Sequence, residues 1–62
     1  MIRNEKIIQE ITIDKALKII DTREPLGLFL VKDGGKYVAI DNTSWDAWTE
    51  EFTDKKQCMD YL

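Results

Sequence analysis

The apolar positions between residues 12 and 25 recur at helical spacing. They form one apolar stripe without charged side chains, which consists of Ile13, Ala16, Leu17 and Ile20. Thr12 precedes the stripe and is a suitable N-cap, because its hydroxyl can accept a hydrogen bond from a free amide of the first turn. Pro25 follows the stripe, and the residue before a proline avoids helical angles. The pattern therefore predicts a helix over residues 13–22 that buries this stripe.

Two runs rich in apolar and β-branched residues come next, over residues 28–32 and 36–41. The segment Asp33-Gly34-Gly35 separates them. Glycine tolerates a positive φ without steric cost, so this segment is typical of a tight turn. The pattern predicts a β-hairpin whose first strand is apolar on both of its faces.

A third strand, antiparallel to the second, is predicted over residues 47–52, after a turn at residues 42–44 whose side chains can bond their own backbone. Strand alternation places Trp48, Glu50 and Phe52 on one face. The aromatic residues on that face predict that Trp48 anchors the core together with Phe52. The acid between them indicates a short strand near the edge of the sheet.

The last apolar residues predict a short helix over residues 54–61, with Thr53 as its N-cap candidate. Residues 7–11 fit a strand or the run-in to a helix, and residues 1–6 are expected to be frayed. The predicted fold is a single α+β domain over residues 1–62, with elements in the order α-β-β-β-α. Both helices would pack on one face of a three-stranded antiparallel sheet. The other face would stay open and partly apolar, as a surface for self-association or for a partner.

The length of 62 residues limits the chain to one domain with a thin core. One cysteine excludes an internal disulfide, and the absence of histidine excludes a zinc site of the Cys/His type. The chain must therefore pack its core very well or bury surface in an oligomer, and a homodimer is as much expected as a monomer. No signal peptide or membrane-spanning run is visible, and a free Cys58 suits a reducing compartment, so a cytoplasmic protein without membrane contact is expected.

The net charge of −3 is unevenly distributed along the chain. Residues 1–32 carry a charge of +1 and residues 33–62 carry −4. Direct binding of nucleic acid relies on basic side chains, whereas here the tryptophans lie in the acidic half, so such binding is not expected. An acidic and aromatic surface suits a basic protein partner, although a solvated face that aids solubility is the plainer interpretation.

From about Thr12 to its end, the chain resembles a family of very small, uncharacterised proteins of Gram-positive bacteria and their phages. The resemblance is carried by residues 23–29, 37–42 and 46–52 and by Cys58 with a final apolar pair. Its most specific part is Asp-Ala-Trp-Thr-Glu-Glu-Phe, which spans residues 46–52. The resemblance implies an accessory protein of a phage or prophage and supplies no catalytic or binding residues. Its pattern has a glycine just before Asp46, where this chain has Trp45, so Trp45 must either tolerate a strained turn or adopt a different one.

The residue types predict neither catalysis nor a bound cofactor. Four acids are candidates for a metal site or an acid–base pair: Asp41, Asp46, Glu50 and Glu51. Their spacing does not match a calcium-binding loop, and so small a chain has little room for a catalytic cleft. Cys58 has no histidine to activate it and is predicted to be a small buried hydrophobic residue. We therefore predict a protein that is not an enzyme and holds no metal or cofactor.

The interaction hypothesis centres on Trp45, which lies in a predicted turn where burial is difficult. An exposed tryptophan is a common anchor of protein interfaces. The other predicted interaction residues are Tyr37, Asp41, Asp46, Glu50 and Glu51. The leading hypothesis is a small phage-type accessory protein that binds a protein whose identity the sequence does not give. The alternative is an acidic inhibitor that presents these acids in place of phosphates to a nucleic-acid-binding groove.

Overall fold

A computed structural model describes residues 7–62, so the expected fraying of residues 1–6 lies outside the part described. Within residues 7–62, six elements follow one another. They are β1 (Ile8–Ile11), α1 (Ile13–Thr22), β2 (Gly27–Asp33), β3 (Lys36–Asn42), β4 (Trp48–Phe52) and α2 (Lys55–Tyr61). The bounds of α1 confirm the prediction, and β2, β3, β4 and α2 begin and end within one residue of it.

In the described part of the chain, the sheet has four strands in the order β1-β2-β3-β4, which corrects the predicted three-stranded antiparallel sheet. β1 pairs in parallel with β2, with Ile8 opposite Leu28 and Ile11 opposite Val31. α1 supplies the long crossover that two adjacent parallel strands require. The sequence left residues 7–11 open between a strand and the run-in to a helix, because five residues do not separate the strand period from the helix period.

The remaining strands pair in the antiparallel sense. β2 and β3 form the predicted hairpin, with Asp33 opposite Lys36 and a left-handed Gly34 (φ 63°) in the turn between them. β4 pairs with β3 so that Phe52 lies opposite Tyr37. β1 and β4 are consequently the two edges of the sheet.

The two helices lie on opposite faces of the sheet, whereas the sequence predicted both on one face. α1 buries Ala16 and Ile19 against one face, named here the α1 face. The strand residues of that cluster are Phe29, Val31 and Ile40. α2 buries Cys58 and Leu62 against Leu30 and Ala39 on the other face, named the α2 face. Because successive side chains of β2 point to opposite faces and are apolar on both, each face needs a cover of its own.

α1 buries a narrower side than the predicted stripe. Ala16 and Ile19 are buried, but Ile13, Leu17 and Ile20 are 46%, 60% and 39% exposed. The helix contacts chiefly β2, so only the side chains aimed at that strand reach the core. The three exposed residues form an apolar strip, named here the outer flank of α1.

Side-chain caps fix the beginnings of both helices. The Lys15 amide donates a hydrogen bond to Thr12 Oγ1 at 3.2 Å, which confirms Thr12 as the N-cap of α1. The N-cap of α2 is Asp54 and not the predicted Thr53, and its Oδ1 accepts from the Lys56 amide at 3.2 Å. Among residues 7–62, neither helix has the length and apolar character needed to span a membrane.

Candidate interaction surface around the Trp45 loop

Residues 43–47 connect β3 to β4 and are named here the Trp45 loop. Two of its residues have left-handed backbone angles, Trp45 with φ 68° and Ala47 with φ 50°. Residues other than glycine seldom adopt such angles, because the Cβ atom crowds the neighbouring carbonyl oxygen. Trp45 therefore has the backbone conformation that favours glycine, and of the two sequence expectations it is the strained turn that occurs.

Arg23 ties the Trp45 loop to the end of α1. Its Nη1 donates to the carbonyl oxygens of Trp45 and Asp46 at 3.1 and 2.9 Å. Its Nε donates to the carbonyl oxygen of Ile20 at 3.1 Å. The guanidinium thus satisfies a carbonyl in the last turn of the helix and fixes two peptide groups of the loop.

The side chain of Asn42 is fully buried and makes hydrogen bonds to the same region. Its Nδ2 donates to the carbonyl oxygens of Arg23 and Pro25, both at 2.9 Å. Its Oδ1 accepts from the Ala47 amide at 3.2 Å. One side chain therefore joins the α1–β2 connection to the Trp45 loop. The sequence indicated only a turn at Asn42, and no local pattern points to contacts with residues so far away in the chain.

Two acids accept hydrogen bonds from residues of the Trp45 loop: Asp41, in β3 just before it, and Asp46, within it. Asp41 Oδ1 accepts from the amide and the hydroxyl of Thr43 at 3.1 and 2.7 Å, so the side chain that bonds the backbone of the turn is Asp41 and not one of the predicted residues 42–44. Ser44 Oγ donates to Asp46 Oδ2 at 3.0 Å. Short polar side chains stabilise a turn in this way by satisfying its free amides and hydroxyls.

The side chain of Trp45 stands beside a shallow hollow that is open to solvent. Trp45 is 54% exposed and Leu26 is 45% exposed. The residues that line the hollow, named here the Trp45 hollow, are Thr22, Glu24, Pro25, Leu26 and Trp45. The chain thus places an indole, a proline and a leucine next to each other at its surface.

Trp48 is 62% exposed, so the prediction that it anchors the core is wrong. Strand alternation does place it on the same face as Phe52, as predicted. Phe52 is half-buried and packs on Tyr61, with ring centroids 5.5 Å apart. The core residues of α2 meet the two central strands, and the beginning of β4 lies outside that cluster. The core under α2 is therefore completed by Phe52 without Trp48.

The structure distributes the predicted interaction residues over three places. Trp45 and Asp46 lie in the Trp45 loop, and Tyr37 is half-buried on the α2 face. By strand register, Asp41 and Glu50 share that face with Trp48 and Tyr37. Glu51 points to the α1 face.

The four acids do not form one cluster. Glu51 Oε1 lies 3.3 Å from Lys36 Nζ in a surface ion pair, on the other side of the sheet from Glu50. Within residues 7–62, no three side chains of the metal-ligating types come together. The four acids are therefore divided between the Trp45 loop and the two faces of the sheet.

Cys58 is fully buried on the core side of α2, which confirms its prediction as a small hydrophobic residue. Burial raises the pKa of its thiol by desolvating the thiolate. A thiol held in its neutral form is a poor nucleophile.

Comparisons of the chain with models of protein families, with curated proteins and with solved structures found no match. The functional argument accordingly rests on the geometry of the Trp45 loop and the surfaces next to it.

Proposed function

We propose that this protein is a small cytoplasmic accessory protein of the phage or prophage type that acts by binding another protein. The Trp45 loop and the Trp45 hollow are the contact surface, and the role is one of binding and not of catalysis. The observation that carries the proposal is an indole that is more than half exposed on a loop fixed by hydrogen bonds. The resemblance of residues 46–52 supports the phage setting.

The backbone strain at Trp45 supports a role in binding. A non-glycine residue with φ 68° costs on the order of 1 kcal/mol, and such strain clusters at binding and catalytic sites. The exposed indole also adds little to the stability of the fold, whereas burying so large an apolar side chain would add much. Folding alone would favour a glycine here, so Trp45 is better explained by a contact outside the chain.

The loop is also ordered before any partner binds. Hydrogen bonds from Arg23 and to Asn42 fix the peptide groups on both sides of Asp46. A contact surface that is already ordered loses less conformational entropy on binding, which raises its affinity for a given contact area. Tryptophan adds a large contact area with only two side-chain torsions.

The lining of the Trp45 hollow supports a partner with an apolar anchor and a basic neighbour. Pro25, Leu26 and the indole supply apolar surface, and Glu24 is the charged residue at its rim. An interface of this kind combines an apolar centre with a charged rim. A partner side chain such as leucine or valine would fill the hollow, with a lysine or arginine facing Glu24.

Affinity capture from a lysate of the native host tests the proposal with three forms of the protein. The wild type and an Ile7→Ala control, which removes a 75% exposed side chain beside the opposite edge strand, should retain the same partner. Trp45→Gly, which keeps the loop conformation and removes the indole, should lose it. Equal retention by all three forms, or none by the wild type, would contradict the proposal.

The inhibitor that mimics nucleic acid ranks lower. Such a mimic needs negative charges in a row that follows a phosphate backbone. Here Glu50 and Glu51 point to opposite faces, and the oxygens of Asp41 and Asp46 accept hydrogen bonds from Thr43 and Ser44 of the loop. No observation in the structure favours this second function.

Self-association is proposed as well, through the outer flank of α1. Its three exposed side chains, Ile13, Leu17 and Ile20, follow one another at helical spacing. So small a domain has a thin core and gains stability from any apolar surface that it buries in a dimer. The contact would leave the Trp45 loop free for a partner.

A further inference from the structure

β4 is an open edge of the sheet. It pairs with β3 on one side only, and within residues 7–62 its backbone makes no hydrogen bond to any other element. Alternate amide and carbonyl groups of an edge strand point away from the sheet and can pair with another extended chain. β4 follows directly after the Trp45 loop, so this edge continues the surface proposed above.

The side chains of β4 leave its edge accessible. Its first four residues are exposed, and only Phe52 is half-buried. The opposite edge strand, β1, is shorter and is bridged to α2 by Lys55 Nζ, which lies 3.7 Å from Glu10 Oε1. β4 is therefore the longer and more exposed of the two edge strands.

The charges of β4 favour one kind of added strand over another. Glu50 and Glu51 are adjacent, so the edge carries a negative side chain on each of its faces. On the α1 face, Glu51 also lies 3.3 Å from Lys36 Nζ, and both of these side chains are exposed. Antiparallel pairing of the whole of β4 with a second copy would place Glu50 opposite Glu50, and like charges directly opposite each other are destabilising. The acids thus disfavour a dimer through this edge and favour a basic strand.

We propose that β4 binds an extended segment of another protein as a fifth, antiparallel strand, and that the segment carries two adjacent basic residues between apolar ones. The basic residues pair with Glu50 and Glu51, one on each face. The flanking apolar residues cover Trp48 and Phe52, which share the α2 face. Backbone hydrogen bonds supply affinity in such strand addition, and side-chain contacts supply specificity. This inference rests on the proposed function and specifies the chemistry of the partner.

A displayed library of random peptides, each about 12 residues long, is the probe for this proposal. Selection on the wild type should enrich peptides with adjacent lysine or arginine residues flanked by β-branched or aromatic ones. Selection on a double variant, Glu50→Lys with Glu51→Lys, should instead enrich adjacent acidic residues, because the charge pairs are reversed. A matched Glu50→Gln, Glu51→Gln variant should weaken binding of the basic peptides by about tenfold. No preference for basic residues, or no enriched peptide, would overturn the proposal.

Amide hydrogen exchange of the most enriched peptide's complex locates the contact. The outward amides of β4 should exchange more slowly in the complex, while amides of α1 should be unchanged. Peptide binding that needs Trp45 but leaves β4 exchange unaltered would overturn the edge proposal and leave the proposed function standing. The opposite result is also possible: a peptide protects the amides of β4 and binds Trp45→Gly as tightly as the wild type. If Trp45→Gly also retains the same host protein as the wild type, the Trp45 loop is not the contact surface and the proposed function fails.

Discussion

The buried amide of Asn42 makes three hydrogen bonds that join two connections distant in sequence. At the scale of single residues, this contact and the strain at Trp45 decide the shape of the candidate surface. The Asn42 side chain is fully buried and both its amide nitrogen and its oxygen are hydrogen-bonded. Removing it would destabilise the fold because its buried partners would be left without a hydrogen bond. Trp45, in the loop that Asn42 binds, has an unfavourable backbone angle and an exposed ring.

Replacing Asn42 by alanine should lower the free energy of unfolding by about 3 kcal/mol, because two carbonyls and one amide lose their partner in a buried place. Chemical denaturation followed by tryptophan fluorescence measures the change. Thr43→Ala is the matched control, since it removes an exposed hydroxyl with one hydrogen bond, and should cost less than about 1 kcal/mol. Equal effects of the two substitutions would contradict the bridging role.

Trp45→Gly should be more stable than Trp45→Ala by about 0.5–1 kcal/mol, because both remove the indole but only glycine accepts φ 68° without strain. Thermal unfolding of the two variants side by side gives the difference. An alanine variant as stable as the glycine variant would show that the loop does not hold a left-handed residue in solution.

Cys58 should make stability fall at alkaline pH. Its pKa is raised by burial in the folded state, so its contribution is complete below the pKa of the thiol in the unfolded chain, about 8.5. As the pH rises through that value towards the folded pKa, the unfolded chain ionises first and the free energy of unfolding declines. Urea unfolding at about pH 7 and about pH 10 should show a larger loss for the wild type than for Cys58→Ala. Equal losses would contradict a desolvated thiol.

At the scale of elements, helix caps and strand pairing follow different rules. The N-cap of each helix is a local contact between a side chain and an amide two or three residues further on. The pairing of β1 with β2 instead needs the whole of α1 between them. Local signals therefore place the helices well, and they leave β1 ambiguous.

The cap of α2 provides a test at this scale. Asp54→Ala should lower the free energy of unfolding by about 1 kcal/mol, because the Lys56 amide loses its acceptor. Thr53→Ala, one residue earlier, should change it by less than about 0.5 kcal/mol, since a surface substitution without a capping bond has a small effect. Denaturation midpoints of the two variants decide between the caps, and a larger effect at Thr53 would restore the sequence prediction.

At the scale of the whole molecule, the central sheet separates two small apolar clusters. α1 closes one with Ala16 and Ile19, and α2 closes the other with Cys58 and Leu62. Each helix is short and covers only part of its face, so apolar side chains remain at the surface on both sides. The same arrangement leaves the Trp45 loop and the β4 edge on the outside of the fold.

The mass of the protein in solution tests the outer flank of α1. Light scattering at rising concentration should show the molar mass increase from 7.3 kDa towards twice that value. Leu17→Glu, at the centre of the flank, should keep the smaller mass at every concentration, because a charge there opposes burial of the flank. Lys18→Glu, on the other side of the helix, should associate like the wild type. A constant 7.3 kDa for the wild type would contradict self-association.

The sequence by itself determined the elements whose signals are local: α1 with its Thr12 cap, the β2–β3 hairpin, the alternation along β4 and the second helix. These depend on residues within a few positions of one another, so the periods of 3.6 and 2 suffice to find them.

Tertiary structure alone decided how those elements are used. The parallel pairing of β1, the opposite faces of the two helices and the bridging by Asn42 each depend on residues distant in the chain. The exposure of Trp48 depends on distant residues as well, because strand alternation assigns a side chain to a face but does not tell how much of that face a helix covers. Periodicity gives the side on which a residue lies, and only packing decides whether that side is buried.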